Sequence, residues 1–256
     1  RDFHYLAHVR RVRAGDEIPA TDGRGRRWCA TVLEVGRESL RLGLEESRTP
    51  PAEGLADGPG EGPPERSPQD PARVTLIQAL PKSRKMDLIV RQATEAGAWA
   101  VLPVLSRHSV VRLAGEEQKD EALAARSARF ARWQRVAREA VQQSGRGLSP
   151  RIGEVTELAQ AVEALPDDGS VRLLAHPEPL PGCTLHECLS GEVPGVVLAV
   201  GPEGGFAEEE VRFLRERGFL PVSFGGNVLR TETAALFAVA AVQIVLQEKG
   251  KWRIRH

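Results

Sequence analysis

The segment that most constrains the fold is a short apolar run followed at once by a glycine-rich turn. Val196 to Val200 reads VVLAV, which is typical of a strand buried on both faces of a parallel sheet. The Gly-Pro-Glu-Gly-Gly turn at 201–205 cannot continue that strand, and three glutamates at 208–210 favour the first turn of a helix, which Gly218 ends. The sequence therefore predicts a strand, a glycine loop and a helix, in that order.

The same order returns shortly afterwards. Pro221 to Phe224 is extended, a glycine turn follows at 225–227, and Thr231 is predicted to cap an Ala-rich helix that runs to about Gln247. Ligands collect where parallel strands give way to loops, and glycine lets backbone polar groups approach them closely. Two such loops therefore favour a small-molecule pocket, and the alternative is that each glycine serves only its own turn.

The common phosphate-binding motifs are absent from both loops. Neither has the G-x-G-x-x-G or the GxxxxGK[ST] spacing, so dinucleotide and P-loop hypotheses lose their specific support. Glu203 also argues against a phosphate, because its carboxylate would repel one.

A Pro- and Gly-rich segment divides the chain of 256 residues. Residues 47–71 contain eleven Gly or Pro and no aromatic or β-branched apolar residue, so they cannot form a packed element. Strands are predicted before this segment, at 28–36 and 39–46, and alternating elements after it, at 74–80 (strand), 85–97 (helix), 98–106 (strand), 116–144 (one helix or two) and 171–175 (strand). This order predicts a small β domain and an α/β domain with a mostly parallel sheet covered on both faces.

Cysteine usage favours a reducing compartment. Three cysteines are too few and too scattered for a disulfide framework. His176, Cys183, His186 and Cys188 are all metal-capable, but C-x2-H-x-C is not a common zinc spacing, so a surface loop of ordinary residues is favoured and no metal is predicted.

We see neither a run long enough to span a membrane nor a signal-peptide pattern, so the expected location is cytoplasmic.

The basic residues are clustered although the formal net charge is zero. Arginines recur every third residue at Arg126, Arg129, Arg132, Arg135 and Arg138, and Arg146 follows. A three-residue step makes them spiral around a helix. A second basic cluster lies near the N-terminus, with Arg10, Arg11, Arg13, Arg24, Arg26 and Arg27. Such clusters are the electrostatic footprint of a nucleic-acid backbone, and the alternative is an ordinary solvated surface.

Several segments together resemble the bacterial ribosomal RNA small subunit methyltransferase E family, a group of SPOUT methyltransferases. They are GPEGGFAEEEV, NVLRTETAALFAVAAVQ, KMDLIVRQATEAGA and REAVQQSGR. The resemblance covers about 74–247 strongly and the first 46 residues weakly, through HVRRVRAGDEI. This chain departs from the family pattern in two places. Its 47–71 segment is longer than expected of the family, and it has Val9-Arg10-Arg11 where the family usually shows Val-Leu-Arg.

The resemblance implies a SPOUT-type α/β knot, that is, a mostly parallel sheet tied into a deep trefoil knot, with a small N-terminal PUA-like β-barrel. The expected boundaries are 1–46 for an RNA-binding PUA-like domain, 47–72 for a linker and 73–256 for the methyltransferase domain. It also implies a homodimer with the site at the subunit interface, which the wide apolar surface of helix 232–247 fits.

The resemblance further implies that the knotted loops clasp S-adenosylmethionine. The expected cofactor-binding residues are Ala175, His176, Val200, Gly201, Pro202, Glu203, Gly204, Gly205, Phe224, Gly225, Asn227, Val228, Leu229 and Arg230. The expected RNA-binding residues are Arg10, Arg11, Lys85, Arg132, Arg135, Gln142, Ser144 and Arg146. Glu95 either lines the RNA side or, as we prefer, fixes a buried loop.

The family reaction is methylation of N3 of a uridine in the 16S ribosomal RNA of the small subunit. Uracil N3 carries a proton at neutral pH, so transfer needs a base and a cation that stabilises charge on O2 and O4. We expect Arg230 to be the cation, because guanidinium keeps its charge and meets carbonyl oxygens in a planar fork. Glu203 and Glu232 are candidates to accept the proton or to hold Arg230, and Glu232 alternatively serves only its helix terminus.

Two other functions remain open from the sequence. One is a SPOUT methyltransferase that acts on ribose 2′-O or on guanine N1 of transfer or ribosomal RNA. The other is a non-catalytic RNA-binding protein with a degenerate knot, which the intact GPEGG and LRTETA loops disfavour.

Overall fold

The computed structural model describes residues 6, 11–21, 27–37, 39–46, 73–109, 119–144, 146, 149–178 and 183–249. The chain divides into two compact units, Arg1–Asp70 and Pro71–His256. The predicted linker at 47–72 and the basic residues Arg10, Arg24 and Arg26 lie outside the described residues.

The N-terminal unit contains a three-stranded antiparallel sheet in the order β1-β2-β3. The strands are β1 (Glu17–Thr21), β2 (Arg27–Val35) and β3 (Leu40–Glu46). Ala30 and Val32 of β2 are buried with Ile18 of β1 and Val12. The two strands predicted here are confirmed, whereas β1 was not predicted, since Pro19 and Ala20 weaken its β signal.

The second unit is built on a seven-stranded sheet in which every described pairing is parallel. Its order is β10-β8-β9-β4-β5-β6, and β7 also pairs with β5. The strands are β4 (Arg73–Ala79), β5 (Ala100–Leu105), β6 (Arg151–Ile152), β7 (Thr156–Glu157), β8 (Val171–Ala175), β9 (Gly195–Val200) and β10 (Leu220–Val222). The predicted parallel sheet is confirmed.

Helices cover both faces of this sheet. They are α1 (Lys85–Glu95), α2 (Lys119–Ser144), α3 (Leu158–Glu163), α4 (Leu185–Cys188), α5 (Glu208–Glu216) and α6 (Thr231–Glu248). Leu76 of β4 packs in a cluster with α1, α2 and α6, while its neighbour Ile77 packs in a second cluster with α3 and α5. Since successive strand residues point to opposite faces, this double burial explains why the central strands read as continuous apolar runs.

Most predicted elements of this unit are confirmed within a few residues. The polar region predicted as one helix or two is a single described helix, α2. The short elements β6, β7, α3 and α4 were not predicted, because two to six residues carry too little periodicity to be recognised.

The loop after β8 corrects the interpretation of the cysteines. Cys183 and Cys188 form a disulfide with their Cα atoms 5.8 Å apart, whereas the sequence indicated ordinary unpaired residues there. Across the ranges that the structure describes, no three or more His, Cys, Asp and Glu side chains form a group that could hold a metal ion.

None of the helices described combines the length and the apolar character needed to cross a bilayer.

Candidate functional site

A cleft opens at the carboxyl ends of β8, β9 and β10, where the two glycine loops lie side by side. It encloses about 700 Å³ of space between the atoms, a volume that includes the part open to solvent. Apolar side chains such as Phe224, Leu229 and Ala234 line it together with backbone groups of the loops. The arrangement suits a ligand with an apolar planar part and several polar groups.

Twelve of the fourteen residues predicted to bind a cofactor line this cleft. They are Ala175, His176, Val200, Gly201, Pro202, Glu203, Gly205, Phe224, Gly225, Asn227, Val228 and Leu229. Gly204 and Arg230 are not among the lining residues, while Pro177, Phe206, Ser223, Thr231 and Ala234 line it without having been predicted. The structure thus brings the set together, and its binding role stays a prediction.

Glycine is favoured at two points of these loops. A Cβ on Gly201 would lie 3.0 Å from the backbone nitrogen of Phe206 and 3.1 Å from Gly205, so a side chain there would force the first loop to shift by a few tenths of an ångström. Gly225 in the second loop has a φ of 120°, which side-chain-bearing residues rarely adopt.

A buried polar link joins the first loop to the start of α6. The Thr231 hydroxyl donates to the carbonyl of Gly201 at 2.7 Å, and the side-chain amide of Gln78 donates to the Thr231 oxygen at 3.1 Å. The prediction that Thr231 caps α6 is wrong, because Arg230 is the N-cap residue and Thr231 is the first helical one. Its hydroxyl serves a distant carbonyl instead of its own helix terminus.

A charged link joins the same two elements. Lys85, at the start of α1, places Nζ 2.9 Å from Glu203 Oε1 and 3.2 Å from Glu232 Oε2. The second contact is an ion pair without hydrogen-bond alignment, since this oxygen of Glu232 is buried with no aligned donor among the described residues. Glu203 also accepts from the backbone N–H of Lys82, at 3.2 Å and 3.1 Å to its two oxygens. Two predicted catalytic acids and one predicted RNA-binding lysine therefore form one cluster.

The cluster changes the acidity of Lys85 and Glu203. Burial alone raises the pKa of Glu203, but the contact with Lys85 and the N–H of Lys82 outweigh it, so this pKa lies below its ordinary value. The bond to Glu203, and then the contact with Glu232, raise the pKa of Lys85 above its ordinary value. Glu203 is therefore a weaker base than an ordinary glutamate.

Arg230 follows the second loop with its side chain exposed. Within the described part of the chain, its guanidinium forms no ion pair with Glu203 or Glu232, which contact Lys85 instead. The suggestion that these acids hold Arg230 is therefore not seen in the structure, and the cation is accessible to a ligand.

The predicted RNA-binding residues fall into two groups. Arg11, Arg135, Gln142 and Ser144 are exposed. Arg132 forms an ion pair with Asp87 of α1. Arg146 is partly buried and donates to the carbonyls of Thr94 at 3.0 Å and Gly97 at 3.2 Å. Arg132 and Arg146 therefore hold α1, which favours a structural role for both, and their RNA contacts stay predictions.

Glu95 does not hold a buried loop, contrary to our preferred interpretation. Its side chain is exposed at the last residue of α1. The loop after α1 is held by Arg146 and by Gln243, whose amide donates to the Gly97 carbonyl at 2.8 Å.

Sequence reasoning missed two residues that shape the first loop. Gln78 is fully buried in β4, and a lone amide in the apolar run VTLIQAL is a signal that could have identified it. His108 follows β5, and its Nδ1 lies 3.2 Å and 3.1 Å from the carbonyls of Gly204 and Gly205. No local pattern in the sequence pointed to His108.

Comparison with known proteins identifies the family to which this fold and this site belong. Residues 68–243 match the model of an RNA methyltransferase domain, and residues 1–45 match that of an RNA methyltransferase PUA domain. The ribosomal RNA small subunit methyltransferase E proteins of Mycobacterium bovis and Bacillus subtilis are 32% and 31% identical to this chain. The alignments cover 95% and 94% of the chain, and 83% and 86% of those proteins.

A solved structure extends the likeness to three dimensions. The enzyme of the same name from Neisseria gonorrhoeae, crystallised bound to S-adenosyl methionine, superposes with a TM-score of 0.73 at 27% identity, covering 95% of this chain and 89% of that one. The chain therefore belongs to the ribosomal RNA small subunit methyltransferase E family.

Proposed function

We propose that the protein transfers a methyl group from S-adenosylmethionine to N3 of a uridine in the 16S ribosomal RNA of the small subunit. The observation that carries the proposal is the cleft between the glycine loops, which gathers twelve of the fourteen expected cofactor residues. Its relatives are named as small-subunit ribosomal RNA methyltransferases, and one of them was crystallised with this methyl donor.

The cleft fits the donor by its chemistry. Phe224 and Leu229 offer apolar surface to a planar base, while the close turn at Gly201 exposes backbone groups to polar atoms. When bound, S-adenosylmethionine supplies an electrophilic methyl group. The residues of the chain must then orient the uracil, take its N3 proton and stabilise the charge that spreads to its oxygens.

We assign these tasks to Arg230 and Glu232. The exposed guanidinium of Arg230 stands directly after the second loop, where it can meet a carbonyl oxygen of the base. Glu203 is held by two donors and its pKa is lowered, whereas Glu232 contacts only Lys85 among the described side chains. We therefore assign proton acceptance to Glu232 and a structural role to Glu203.

Several larger features belong to the same proposal. We assign 1–46 to RNA docking and 47–72 to a linker, with the transferase in 73–256. A deep trefoil knot, which the family resemblance implies, is part of the same proposal. A cytoplasmic location completes the proposal.

A homodimer is supported by the outer face of α6. Phe237 and Ile244 are 48% and 54% exposed on this helix, and Val228 of the second loop is 85% exposed. No charged residue lies between Glu232 and Glu248. Apolar surface of this kind beside a binding site is typical of subunit contacts.

The experiment that tests the proposal identifies the methylated nucleoside. The protein is incubated with S-adenosylmethionine and either naked 16S ribosomal RNA or assembled small subunits, and the RNA is digested and analysed by mass spectrometry. We expect 3-methyluridine in at least one of the two substrates. A methylated ribose or 1-methylguanosine would move the assignment to another target, and no donor binding by calorimetry would favour the non-catalytic alternative.

A further inference from the structure

Lys85 lies where three segments of the methyltransferase unit meet. It is the first residue of α1, directly after the turn that leaves β4. Its Nζ contacts Glu203 from the first glycine loop and Glu232 from the first turn of α6. Residues of both elements line the cleft, and one ammonium group bridges the two elements.

The two carboxylates depend on this cation to stay close together. Each has an oxygen within 3.2 Å of the same nitrogen, so without it two like charges would face each other at short range. The side chains of Lys85, Glu203 and Glu232 are only 31%, 25% and 14% exposed, so solvent screens their interaction incompletely.

We propose that Lys85 is a positioning residue for methyl transfer, whose ammonium group holds the first glycine loop against the start of α6 and so fixes the relative position of two elements that line the cofactor cleft. This role replaces the RNA contact expected from the sequence. The inference rests on the proposed function only because it requires the methyl donor to bind in this cleft.

The surrounding charges do not substitute for Lys85. Lys82 and Arg84 of the preceding turn have exposed side chains, and Lys82 reaches Glu203 only through its backbone N–H. Asp87 is paired with Arg132, and Arg230 is exposed. His108 contacts the first loop through the carbonyls of Gly204 and Gly205 and not through Glu203.

Removal of the lysine charge should make donor binding depend on pH. In Lys85→Met, like-charge repulsion raises the pKa of one carboxyl above the ordinary glutamate value of about 4.3. At about pH 8 both carboxyl groups are ionised, and their repulsion pushes the first glycine loop away from α6. At about pH 5.5 one of the two carboxyl groups is more often protonated, so the repulsion is weaker. We therefore expect the binding defect to be largest at the higher pH and to shrink at the lower one.

The test measures S-adenosylmethionine affinity of the full chain by calorimetry at both pH values. We expect Lys85→Met to weaken binding by about tenfold at pH 8, and Lys85→Arg to bind within about threefold of the parent protein. The matched control is Arg84→Met, which removes an exposed cation from the same turn and keeps His108, so it should match the parent at both pH values.

A double variant separates charge from general damage. Glu203→Gln added to Lys85→Met removes the repulsion while its amide oxygen can still accept from Lys82, so binding at pH 8 should return to within about threefold of the parent. If Lys85→Met does not fold, the double variant must still fold and bind. The inference is overturned if that variant fails to fold or binds as weakly as the single one, or if Lys85→Met binds like the parent at both pH values.

A parent protein that binds no donor at all would instead overturn the proposed function. Normal donor binding by the parent together with unaltered binding by Lys85→Met would overturn only the positioning role. The two failures are therefore distinguishable in one set of titrations.

Discussion

At the scale of single residues, the site depends on side chains whose partners are distant in sequence. The Thr231 hydroxyl meets a carbonyl 30 residues away, and the Gln78 amide reaches it across 153 residues. A Thr before an Ala-rich helix predicts a local cap, because sequence reasoning assigns short polar side chains to the nearest backbone. The competing acceptor, the Gly201 carbonyl, lies 30 residues away in the sequence, so only the tertiary structure brings it to Thr231.

Replacement of Thr231 by valine should destabilise the fold, because it removes the hydroxyl oxygen and the hydrogen bonds that this oxygen forms. Valine keeps the shape but leaves the Gly201 carbonyl with only the 3.4 Å contact from the Gln78 amide and removes one acceptor of that amide, so the free energy of unfolding should fall by about 1–3 kcal/mol. Urea denaturation measures this change. Thr233→Val, at an exposed position of the same helical turn, should change it by less than about 0.5 kcal/mol. Equal effects of both variants would contradict a role for the buried hydroxyl.

Substitution of Arg230 tests the cation assignment. Arg230→Ala should lower the methylation rate by about 100-fold or more, because the lost interaction acts in the transition state, while donor affinity stays near that of the parent protein. Arg230→Lys should recover part of the rate, since it retains charge without the planar fork. Single-turnover assays and calorimetry measure the two quantities. Near-normal turnover in Arg230→Ala would remove it from the catalytic assignment.

At the scale of elements, burial on both faces made the central strands predictable from their apolar runs. β4, β8 and β9 were located within a residue or two, because no polar alternation interrupts their packing against two helical layers. The structural role of Arg146 could not be predicted from a local pattern of this kind. Its charge is visible in the sequence, but the carbonyls of Thr94 and Gly97 lie 52 and 49 residues upstream.

Helix α2 combines structural and exposed arginines, which predicts separable effects on RNA binding. Arg132 is paired with Asp87, whereas Arg135 and Arg138 are exposed. Arg135→Ala with Arg138→Ala should therefore reduce the slope of log affinity against log salt by about 1.5, since each lost phosphate contact accounts for about 0.7–0.9. Fluorescence anisotropy over a series of salt concentrations measures the slope.

The matched control lies on α5, which covers the other face of the sheet. Arg212→Ala with Arg215→Ala removes the same charge from exposed positions of that helix and should leave the slope unchanged. If the α2 double variant also leaves the slope unchanged, its arginines are ordinary solvated side chains.

At the scale of the whole molecule, the outer face of α6 predicts self-association. Phe237→Glu together with Ile244→Glu should convert a dimer into a monomer, because two charges would be buried without partners in the contact. Light scattering after size-exclusion chromatography measures the mass. Leu44→Glu, at a leucine 58% exposed in the N-terminal unit, serves as the control and should not alter it. A parent protein that is monomeric at every concentration would contradict the dimer.

One aromatic contact connects the cleft to that outer face. The rings of Phe224, which lines the cleft, and Phe237 meet edge to face with their centroids 6.1 Å apart. A second subunit that covers Phe237 would therefore also fix a wall of the cleft. Thermodynamic linkage makes this coupling reciprocal, so the free energy that association adds to donor binding is the same free energy that the donor adds to association. The apparent donor affinity of such a protein rises with its own concentration.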